Sequence, residues 1–308
     1  MVMSLMTINS LLTPTASCPN PSSPNGPNRT VAFTTPEYNY ASRLSLLLHQ
    51  HNFIPLSCPT VIVGPTSSTK SSLLQQISLL HRFSAIAFTS RSGISAFFTA
   101  LSESPSLPHS FFPAGEEFII AALGKDAELL TPEIISKLSP NSNRVRIVLP
   151  SNPTPSGLVD SLGPGLGRQI LCPVPLVLGL KEPPVVPDFL RDLSSMGWVT
   201  VRVNAYETRW AGPKCAEKLI EVDNLDGLVF TSTSEVEGLL KSLKEYGLDW
   251  DGMRRRWPGL IVAAHGPVTA SGAEKLGVRV DVVSSKFSSF EGVVEVLDNN
   301  IWRNSNIY

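Results

Sequence analysis

The sequence predicts an α/β protein made of two doubly wound domains with parallel sheets. Its 308 residues match two domains of about 150 residues each. From Val31 onward, short apolar runs rich in β-branched residues alternate with stretches of helical periodicity, which is the pattern of βαβ units. Only 17% of the residues are charged, as expected where strands are buried on both faces.

The apolar runs predict ten strands, too many for one small sheet. They are expected at residues 31–34, 60–63, 85–89, 118–123, 145–149, 170–172, 199–204, 227–231, 260–264 and 280–283. Helices are expected between them, at residues 40–50, 71–81, 93–102, 127–138, 187–196, 235–246, 269–276 and 290–297. Ser92 and Ser234 are suitable caps at helix starts, and Gly197, Gly247 and Gly277 stand where helices should end.

Two segments of the chain repeat one design. Residues 85–90 read Ala-Ile-Ala-Phe-Thr-Ser, residues 227–232 read Gly-Leu-Val-Phe-Thr-Ser, and each precedes a predicted helix. A second strand-to-helix turn follows each copy, at Gly124 and at Gly266. Each glycine lies 34 residues after the serine of its copy, Ser90 or Ser232. The shared motif and spacing indicate two domains of one design.

Ser90 and Ser232 have two possible roles. In such units the helix start that follows a strand presents free N–H groups and the positive end of the helix dipole, so an anionic ligand can bind there. Either serine can instead simply cap its own helix. Because the Phe-Thr-Ser motif recurs in both halves, the ligand-site and capping interpretations carry equal weight.

Composition excludes several function classes. The 25 Lys and Arg residues balance 26 Asp and Glu residues, so the chain has no general basic field for nucleic acid or an anionic membrane surface. Apolar runs such as residues 118–123 are far shorter than the roughly 20 residues that cross a bilayer. The four cysteines include no CxxC pair and the five histidines form no ligand pattern, so we expect free thiols and no metal.

The N-terminal segment, residues 1–30, is expected to be a disordered tail or a short transit peptide. The first 36 residues contain no Asp or Glu and are rich in Ser, Thr, Pro and Asn, although Arg29 is their only basic residue. They lack the apolar core of a secretory signal. This composition favours localisation in the chloroplast, with the cytoplasm as the alternative.

Besides the repeat, three later segments carry a family resemblance. The Phe-Thr-Ser turns are similar to signatures of uroporphyrinogen-III synthase. So are Val-Asn-Ala-Tyr-Glu-Thr at residues 203–208, Gly-Pro-Val-Thr-Ala at 266–270 with Lys-Leu-Gly at 275–277, and Ser-Phe-Glu-Gly at 289–292. The resemblance extends from about residue 31 to residue 297.

The resemblance implies a domain arrangement. Members of that family have two doubly wound domains joined by two crossover strands, and the first strand and helix belong with the C-terminal half. Transferred to this chain, residues 31–57 and 207–308 form a discontinuous first domain, and residues 58–206 form an inserted second domain. Pro59 and Tyr206 then lie at the crossovers.

The resemblance also implies an activity. The family cyclises the linear tetrapyrrole hydroxymethylbilane with inversion of the terminal pyrrole ring, in haem and chlorophyll biosynthesis, and it uses no metal or cofactor. The substrate hydroxyl leaves as water to give an azafulvene cation. The substrate must also be held in a curl that favours attack through a spiro intermediate over direct closure.

By the same resemblance Tyr206 is the candidate catalytic residue, because a phenol can donate the proton that the leaving hydroxyl needs. A hinge aromatic packed at the domain junction is the alternative. The candidate substrate-binding residues are Ser90, Gly124, Lys125, Ser232, Gly266, Pro267 and Thr269. Ser90 and Ser232 are expected to face each other across one cleft. We expect a monomer that binds this small molecule and neither nucleic acid nor a membrane.

Two departures from the family pattern bear on activity more than on fold. The family has Thr-Arg-Pro after the first strand, where residues 34–36 read Thr-Thr-Pro. It has a Thr downstream of the first-domain Gly turn, where residues 124–127 read Gly-Lys-Asp-Ala. The main alternative is therefore a catalytically impaired homologue that acts as a two-domain ligand-binding protein.

A lesser alternative is a nucleotide-binding protein with a degenerate P-loop at residues 64–71. This segment reads Gly-Pro-Thr-Ser-Ser-Thr-Lys-Ser, close to GxxxxGK[ST], but Thr69 stands where the second glycine is needed. The glycine-rich segment at residues 163–167 precedes a strand instead of following one, so it does not fit the dinucleotide-binding pattern.

Overall fold

The computed structural model describes residues 29–104, 117–139, 141–286 and 289–303. The tail predicted at residues 1–30 lies outside these ranges except for Arg29 and Thr30, which begin the first strand. None of the helices in these ranges could cross a membrane, since none is both long enough and apolar enough.

The strands of the described residues form two sheets. They are β1 (Arg29–Phe33), β2 (Phe53–Ser57), β3 (Val61–Gly64), β4 (Ala85–Phe88), β5 (Phe118–Ala122), β6 (Val145–Val148), β7 (Gln169–Leu178), β8 (Val199–Trp210), β9 (Gly227–Phe230), β10 (Ile261–Ala264) and β11 (Val282–Val283). One sheet has five strands in the order β11-β10-β9-β1-β2, and the other has six in the order β3-β8-β7-β4-β5-β6. The predicted α/β fold class is confirmed.

Among these described strands, all pairs but one are parallel. The exception is β3, which runs antiparallel to the end of β8, from Val61 opposite Trp210 to Gly64 opposite Glu207. The chain enters the six-stranded sheet through β3 and leaves it through the end of β8. These two segments therefore lie side by side and point in opposite directions.

Helices follow most of the strands. They are α1 (Ser42–Gln50), α2 (Ser67–Ser78), α3 (Arg91–Ser102), α4 (Pro132–Ser136), α5 (Pro155–Leu162), α6 (Val185–Ser195), α7 (Glu217–Glu221), α8 (Thr233–Glu245), α9 (Trp250–Arg256), α10 (Pro267–Lys275) and α11 (Phe290–Arg303). Shorter helical turns lie at Glu37–Ala41, Leu80–Arg82, Gly124–Leu129, Ser142–Arg144 and Pro213–Ala216.

Each sheet is covered by helices on both faces. On β4, Ile86 and Phe88 pack with α2 and α3, whereas Ala85 and Ala87 pack on the opposite face with α5 and α6. The five-stranded sheet alternates in the same way, with α8 and α10 on one face and α1 and α11 on the other. Both sheets are thus doubly wound, and their strands are apolar on both sides because neither side meets water.

Two elements differ from the prediction because of proline. No sequence pattern indicated β2, which contains Pro55, but β2 is an edge strand, where a missing N–H leaves no ladder bond unmade. The single helix expected at residues 127–138 is instead the short turn Gly124–Leu129 followed by α4. The helix α4 begins at Pro132 with Thr131 as its cap, so the proline starts a helix rather than continuing one.

The two crossovers between the sheets are joined to each other and to α8. At the first crossover, the Thr60 N–H donates to the Thr34 carbonyl at 3.2 Å, and the Thr60 hydroxyl donates to the backbone carbonyl of Glu235 at 2.8 Å. At the second crossover, the Ala211 N–H donates to the Thr60 carbonyl at 3.0 Å. Gly238 lies one turn further along α8, where a Cβ would stand 2.6 Å from the Thr60 carbonyl oxygen.

Gly238→Ala should therefore destabilise the protein. The added methyl group forces α8 away from the Thr60 backbone, and overpacking of this kind costs about 1–3 kcal/mol. Gly259→Ala is the matched control, since a Cβ at Gly259 meets open space. Denaturant unfolding of both variants checks the difference, and equal stability of the two variants would contradict the close packing at Thr60.

Candidate functional site

Ser90 and Tyr206 lie together at the carboxyl ends of the strands of the six-stranded sheet. Ser90 follows β4 and caps α3, where its hydroxyl accepts from the Gly93 N–H at 3.1 Å. The same hydroxyl shares a hydrogen bond of 2.9 Å with the Tyr206 phenol. The predicted catalytic residue and one predicted binding residue are thus in direct contact.

A β-bulge aims Tyr206 at Ser90. Val174 on β7 pairs with Asn204 on β8, but the next residue, Pro175, pairs with Tyr206, so Ala205 is an extra residue. Regular alternation would send Ala205 and Tyr206 to opposite faces, whereas here both pack in the same core as α3. Without the bulge the phenol would not point at the start of α3.

Asp126 lies in a second turn that packs against the same helix. It belongs to the turn Gly124–Leu129, which follows β5 and contacts α3. Burial raises the pKa of Asp126 to about 6, although the Arg91 charge and N–H oppose this effect; the nearby Glu128 adds to it. A carboxyl group that changes charge near neutral pH therefore lies at the start of α3.

Tyr40, which follows a strand of the five-stranded sheet, lies near the start of α3. It follows β1, and the Asp126 carboxylate, the Arg91 guanidinium and the Tyr206 phenol all act on it electrostatically. Burial is the main cause that raises the pKa of Tyr40, and the Asp126 charge comes next. We call Tyr40, Ser90, Arg91, Asp126 and Tyr206 the junction cluster.

The Tyr206 phenol stays protonated at any physiological pH. Its side chain is only 6% exposed, and burial raises its pKa to about 12. The hydrogen bond with Ser90 lowers this pKa, and the Asp126 charge raises it. The phenol is therefore available as a hydrogen-bond donor and, to a strong base, as a proton donor.

In the C-terminal copy of the repeat, the serine hydroxyl is engaged by a carboxylate. Ser232 caps α8 and also donates to the Glu235 carboxylate at 3.2 Å. That carboxylate accepts from the Thr231 N–H at 2.9 Å, the Thr231 hydroxyl at 2.5 Å and the Thr34 hydroxyl at 2.9 Å. Burial still raises the pKa of Glu235, and these donors oppose it.

The other predicted binding residues of this copy lie at the start of α10. Gly266 has extended backbone at the helix cap and Pro267 is in the first turn. The Thr269 hydroxyl donates to the Thr231 carbonyl at 3.1 Å, so it ties α10 to the Ser232 turn instead of standing free. Ser90 and Ser232 each bond within their own half, and their facing each other across a cleft stays a prediction.

At the corresponding turn of the first copy, the structure explains Gly124 only as a backbone requirement. Gly124 has a φ of +43°, which other residues rarely adopt, and a Cβ there would meet Pro153 at 3.3 Å. The Lys125 side chain lies outside the described residues, so its predicted role in binding is untested.

Aromatic rings extend from Tyr40 to the start of α10. Tyr40 meets Phe290 edge-on with ring centroids 5.9 Å apart, and Phe290 meets His265 at 5.1 Å. His265 directly precedes Gly266. The rings thus connect the junction cluster to the C-terminal turn.

Sequence reasoning missed Tyr40, Arg91, Asp126 and Glu235. One signal was visible, because Ser232 and Glu235 have the Ser-x-x-Glu spacing of a capping box. Asp126 could have been noticed as a carboxyl directly after a strand end. No local sequence pattern could connect Tyr40 to Asp126, since the turns that carry them follow strands of different sheets.

Comparison with known proteins identifies the family. A family model described as uroporphyrinogen-III synthase HemD matches residues 42–294, well over half of the chain. The chain belongs to the uroporphyrinogen-III synthase family. The matched residues include the whole repeat and all of the junction cluster except Tyr40.

Solved structures of this family resemble the chain. A mutant uroporphyrinogen III synthase from the extremely thermophilic bacterium Thermus thermophilus has a TM-score of 0.56 and 16% identity, and the match covers 89% of this chain and 99% of that one. The enzyme from Helicobacter pylori has a TM-score of 0.44 and 15% identity, with 87% and 97% covered. The likeness to the Thermus thermophilus structure shows a shared fold. A search of curated proteins found no match.

In this member of the uroporphyrinogen-III synthase family, the Thr-Thr-Pro segment after β1 has a structural role. Thr34 is fully buried and bonds to Glu235, and the Thr35 hydroxyl lies 3.5 Å from that of Thr231. The threonine that replaces the family's arginine therefore packs at the end of β9.

The cysteines of the described residues are free thiols. Cys58 and Cys172 are buried and Cys215 is partly exposed. Cys18 lies outside the described ranges. Within those ranges no group of three or more His, Cys, Asp and Glu side chains is arranged to hold a metal ion.

Glu235→Ala should destabilise the protein strongly. It leaves the buried Thr34 hydroxyl and the partly buried donors of Thr231 and Ser232 without their acceptor, which costs about 2–4 kcal/mol. Glu245→Ala, at an exposed position of the same helix, is the control and should change stability by less than about 0.5 kcal/mol. Urea unfolding measures both, and a loss in Glu235→Ala no greater than that in the control would contradict the assignment.

Proposed function

We propose that the protein is a uroporphyrinogen-III synthase that cyclises hydroxymethylbilane with inversion of the terminal pyrrole ring, without a cofactor. The observation that carries the proposal is the hydrogen-bonded pair of Ser90 and Tyr206 in a chain of this family. In the proposed reaction the substrate hydroxyl leaves as water, and Tyr206 donates the proton.

Burial keeps Tyr206 in the protonated form that this role requires, while the raised pKa makes the phenol a weaker acid. A phenol with a pKa of about 12 is always in its donor form at neutral pH. The Ser90 hydroxyl, itself held by the Gly93 N–H, orients the phenol and can accept or pass on a proton. A pre-oriented donor in a low-dielectric setting contributes more than the same group in water.

The helix starts are the proposed binding positions for the substrate's carboxylates. The N-termini of α3, α8 and α10 follow strand ends at Ser90, Ser232 and Gly266, and each offers backbone N–H groups and a positive dipole end. The rings of Tyr40, Phe290 and His265 lie between two of these positions and suit the flat faces of pyrrole rings.

We further propose that each sheet with its helices is one domain. The first division proposed from the sequence, between residues 57 and 58, falls between β2 and β3. We move the second division from residue 206 to the end of β8 at Trp210, because β8 pairs in the six-stranded sheet up to that residue. A monomer and chloroplast localisation remain parts of the proposal that rest on the sequence.

The geometry gives little support to the nucleotide alternative. The helix that follows β3 begins with a closed capping box, in which the Thr66 N–H donates to the Thr69 hydroxyl at 2.9 Å. Lys70, the residue that would reach a phosphate, pairs with Glu103. Moreover β3 is an antiparallel edge strand, whereas a P-loop follows a parallel strand.

Purified protein given hydroxymethylbilane should form mainly uroporphyrinogen of type III. Product analysis as the ratio of type III to type I is the measurement, because spontaneous closure gives type I. A ratio no higher than that of the reaction without protein would overturn the proposed function and favour the ligand-binding homologue.

Tyr206→Phe should lower kcat by about 10²–10⁴-fold, the usual contribution of a general acid. The control is Tyr246→Phe, because Tyr246 is exposed at the end of α8 and should tolerate the change. Full activity in Tyr206→Phe would remove the acid assignment and leave the cyclase assignment standing.

Calorimetric titration with ATP and magnesium should give no binding heat. The Lys70–Glu103 pair and the capping box at Thr66 leave no free phosphate cradle at residues 64–71. Saturable binding that is lost in Lys70→Ala would revive the P-loop alternative.

A further inference from the structure

A loop of the six-stranded sheet reaches across to a helix of the five-stranded sheet. The loop is residues 179–182, which follow β7, and the helix is α8. The Lys241 ammonium donates to the Gly179 carbonyl at 2.5 Å, and the Lys181 N–H donates to the Glu237 carboxylate at 2.9 Å. We call residues 179–182 the strap. It connects the two sheets at a place separate from the two crossovers.

The strap is also fixed to its own sheet. Arg202 on β8 pairs with the Glu182 carboxylate, with an N–O distance of 2.6 Å. Glu182 directly follows Lys181, whose N–H is bonded to α8. Pro183 and Pro184 come next, and each fixes its own φ where the chain leads to α6. Because the ties to α8 and to β8 are one residue apart, the strap has little slack, and a movement of α8 away from the six-stranded sheet must break one of them.

Two faces of α8 make contacts of different kinds with the rest of the chain. On one face, the Glu235 carbonyl and Gly238 hold Thr60 in buried contacts at the first crossover. On another face, Glu237 and Lys241, which are four residues apart, hold the strap through hydrogen bonds that are exposed to solvent. Water replaces an exposed hydrogen bond at little cost, whereas a buried one has no such replacement. The strap contacts can therefore break while the crossover contacts persist.

Trp210 connects the two kinds of contact. It ends β8 at the second crossover, and its indole N–H donates to the Gly238 carbonyl at 3.0 Å. The Lys241 ammonium lies 4.8 Å from the centre of the indole ring while it donates to the strap. A cation over an indole face is attracted by the ring. The ring thus keeps the lysine in the position from which it holds the strap.

We propose that the strap is a releasable latch, which holds the two sheets in the orientation of this structure and lets them rotate about the crossovers when it opens. A hinged movement needs a fixed point and a contact that can break, and the two faces of α8 supply them. This inference rests on the proposal that each sheet with its helices is one domain, and it does not depend on the reaction.

The latch bears on the candidate site because the two halves of that site belong to different sheets. Ser90 and Tyr206 belong to the six-stranded sheet and its turns, whereas Ser232 and Gly266 follow strands of the five-stranded sheet. An open latch lets the two halves vary in separation. A substrate that needs both halves in one orientation binds with an apparent affinity that is reduced by the fraction of molecules in that orientation.

The double variant Glu237→Ala/Lys241→Ala removes both groups of α8 that hold the strap. Alanine is the best helix former, so α8 should persist. Small-angle X-ray scattering should give a larger radius of gyration and maximum dimension than in the wild type, with unchanged helix content by circular dichroism. The matched control is Lys244→Ala/Glu245→Ala, which removes one base and one acid from exposed positions of the same helix and should scatter like the wild type.

Arg202→Ala tests the latch from its other end. It frees Glu182 from β8 without changing α8, so the strap gains slack and the scattering dimensions should again increase.

Enzyme kinetics give a second readout if the protein is the proposed cyclase. The double variant Glu237→Ala/Lys241→Ala should raise KM for hydroxymethylbilane more than it lowers kcat, because fewer molecules have both halves of the site in one orientation. The control Lys244→Ala/Glu245→Ala should keep the wild-type KM.

The outcomes are distinguishable. A double variant that scatters like the wild type overturns the latch, and so does an equal expansion in the control. Expansion with a loss of helix content reports unfolding and also overturns it. An expanded, active variant with an unchanged KM overturns the effect of the latch on the site. Wild-type protein that makes no type III product overturns the proposed function, and the scattering comparison still decides the latch.

Discussion

One buried carboxylate holds together the segments on which the two-sheet arrangement depends. Glu235, 1% exposed on α8, gathers the end of β1 through Thr34 and the end of β9 through Thr231. Its own backbone carbonyl accepts from Thr60 at the first crossover. A buried charge is tolerable only when donors replace its lost hydration, and here the donors are the same groups that must be brought together.

The position of Tyr206 depends on these hydrogen bonds of Glu235. Thr60, held by α8, leads into β3 and also accepts from Ala211 at the second crossover. The two crossovers are thereby aligned, so β3 pairs with the end of β8 in a set register. Next to this pairing, β7 and β8 extend together beyond the carboxyl end of β4, and the extension carries the bulge that turns Tyr206 towards Ser90. Packing at the two crossovers thus orients the Tyr206 side chain towards Ser90.

The sequence predicts features that local patterns determine. Apolar β-branched runs identified ten of the strands, and the Phe-Thr-Ser repeat identified Ser90 and Ser232 as equivalent positions. The lengths of β7 and β8 were underestimated, because their extensions contain Pro173, Pro175 and charged residues, and pair only where the crossovers meet. Residues 155–162 gave no helix prediction, although Thr154 and Pro155 form a standard helix start.

Site residues whose role depends on tertiary neighbours could not be predicted from the sequence. Asp126 acquires its raised pKa from burial, which depends on the pairing of β4 with β5 and is not encoded near residue 126. Tyr40 joins the cluster from the other sheet. The bulge at Ala205 interrupts the alternation of side chains between the two faces of β8. The strand contains no glycine or proline that would have indicated a bulge.

The two copies of the repeat differ at the third residue after the serine, and this difference changes the hydrogen bonds of the serine hydroxyl. Ser232 is followed by Glu235, whose carboxylate engages the serine hydroxyl within its own helix. Ser90 is followed by Gly93, where a Cβ would already lie 3.2 Å from the Pro173 carbonyl, so β7 leaves no room for a glutamate. The Ser90 hydroxyl is then completed by a phenol from another strand. The copy with the internal carboxylate organises the crossovers, and the copy without it places its serine against the phenol of Tyr206.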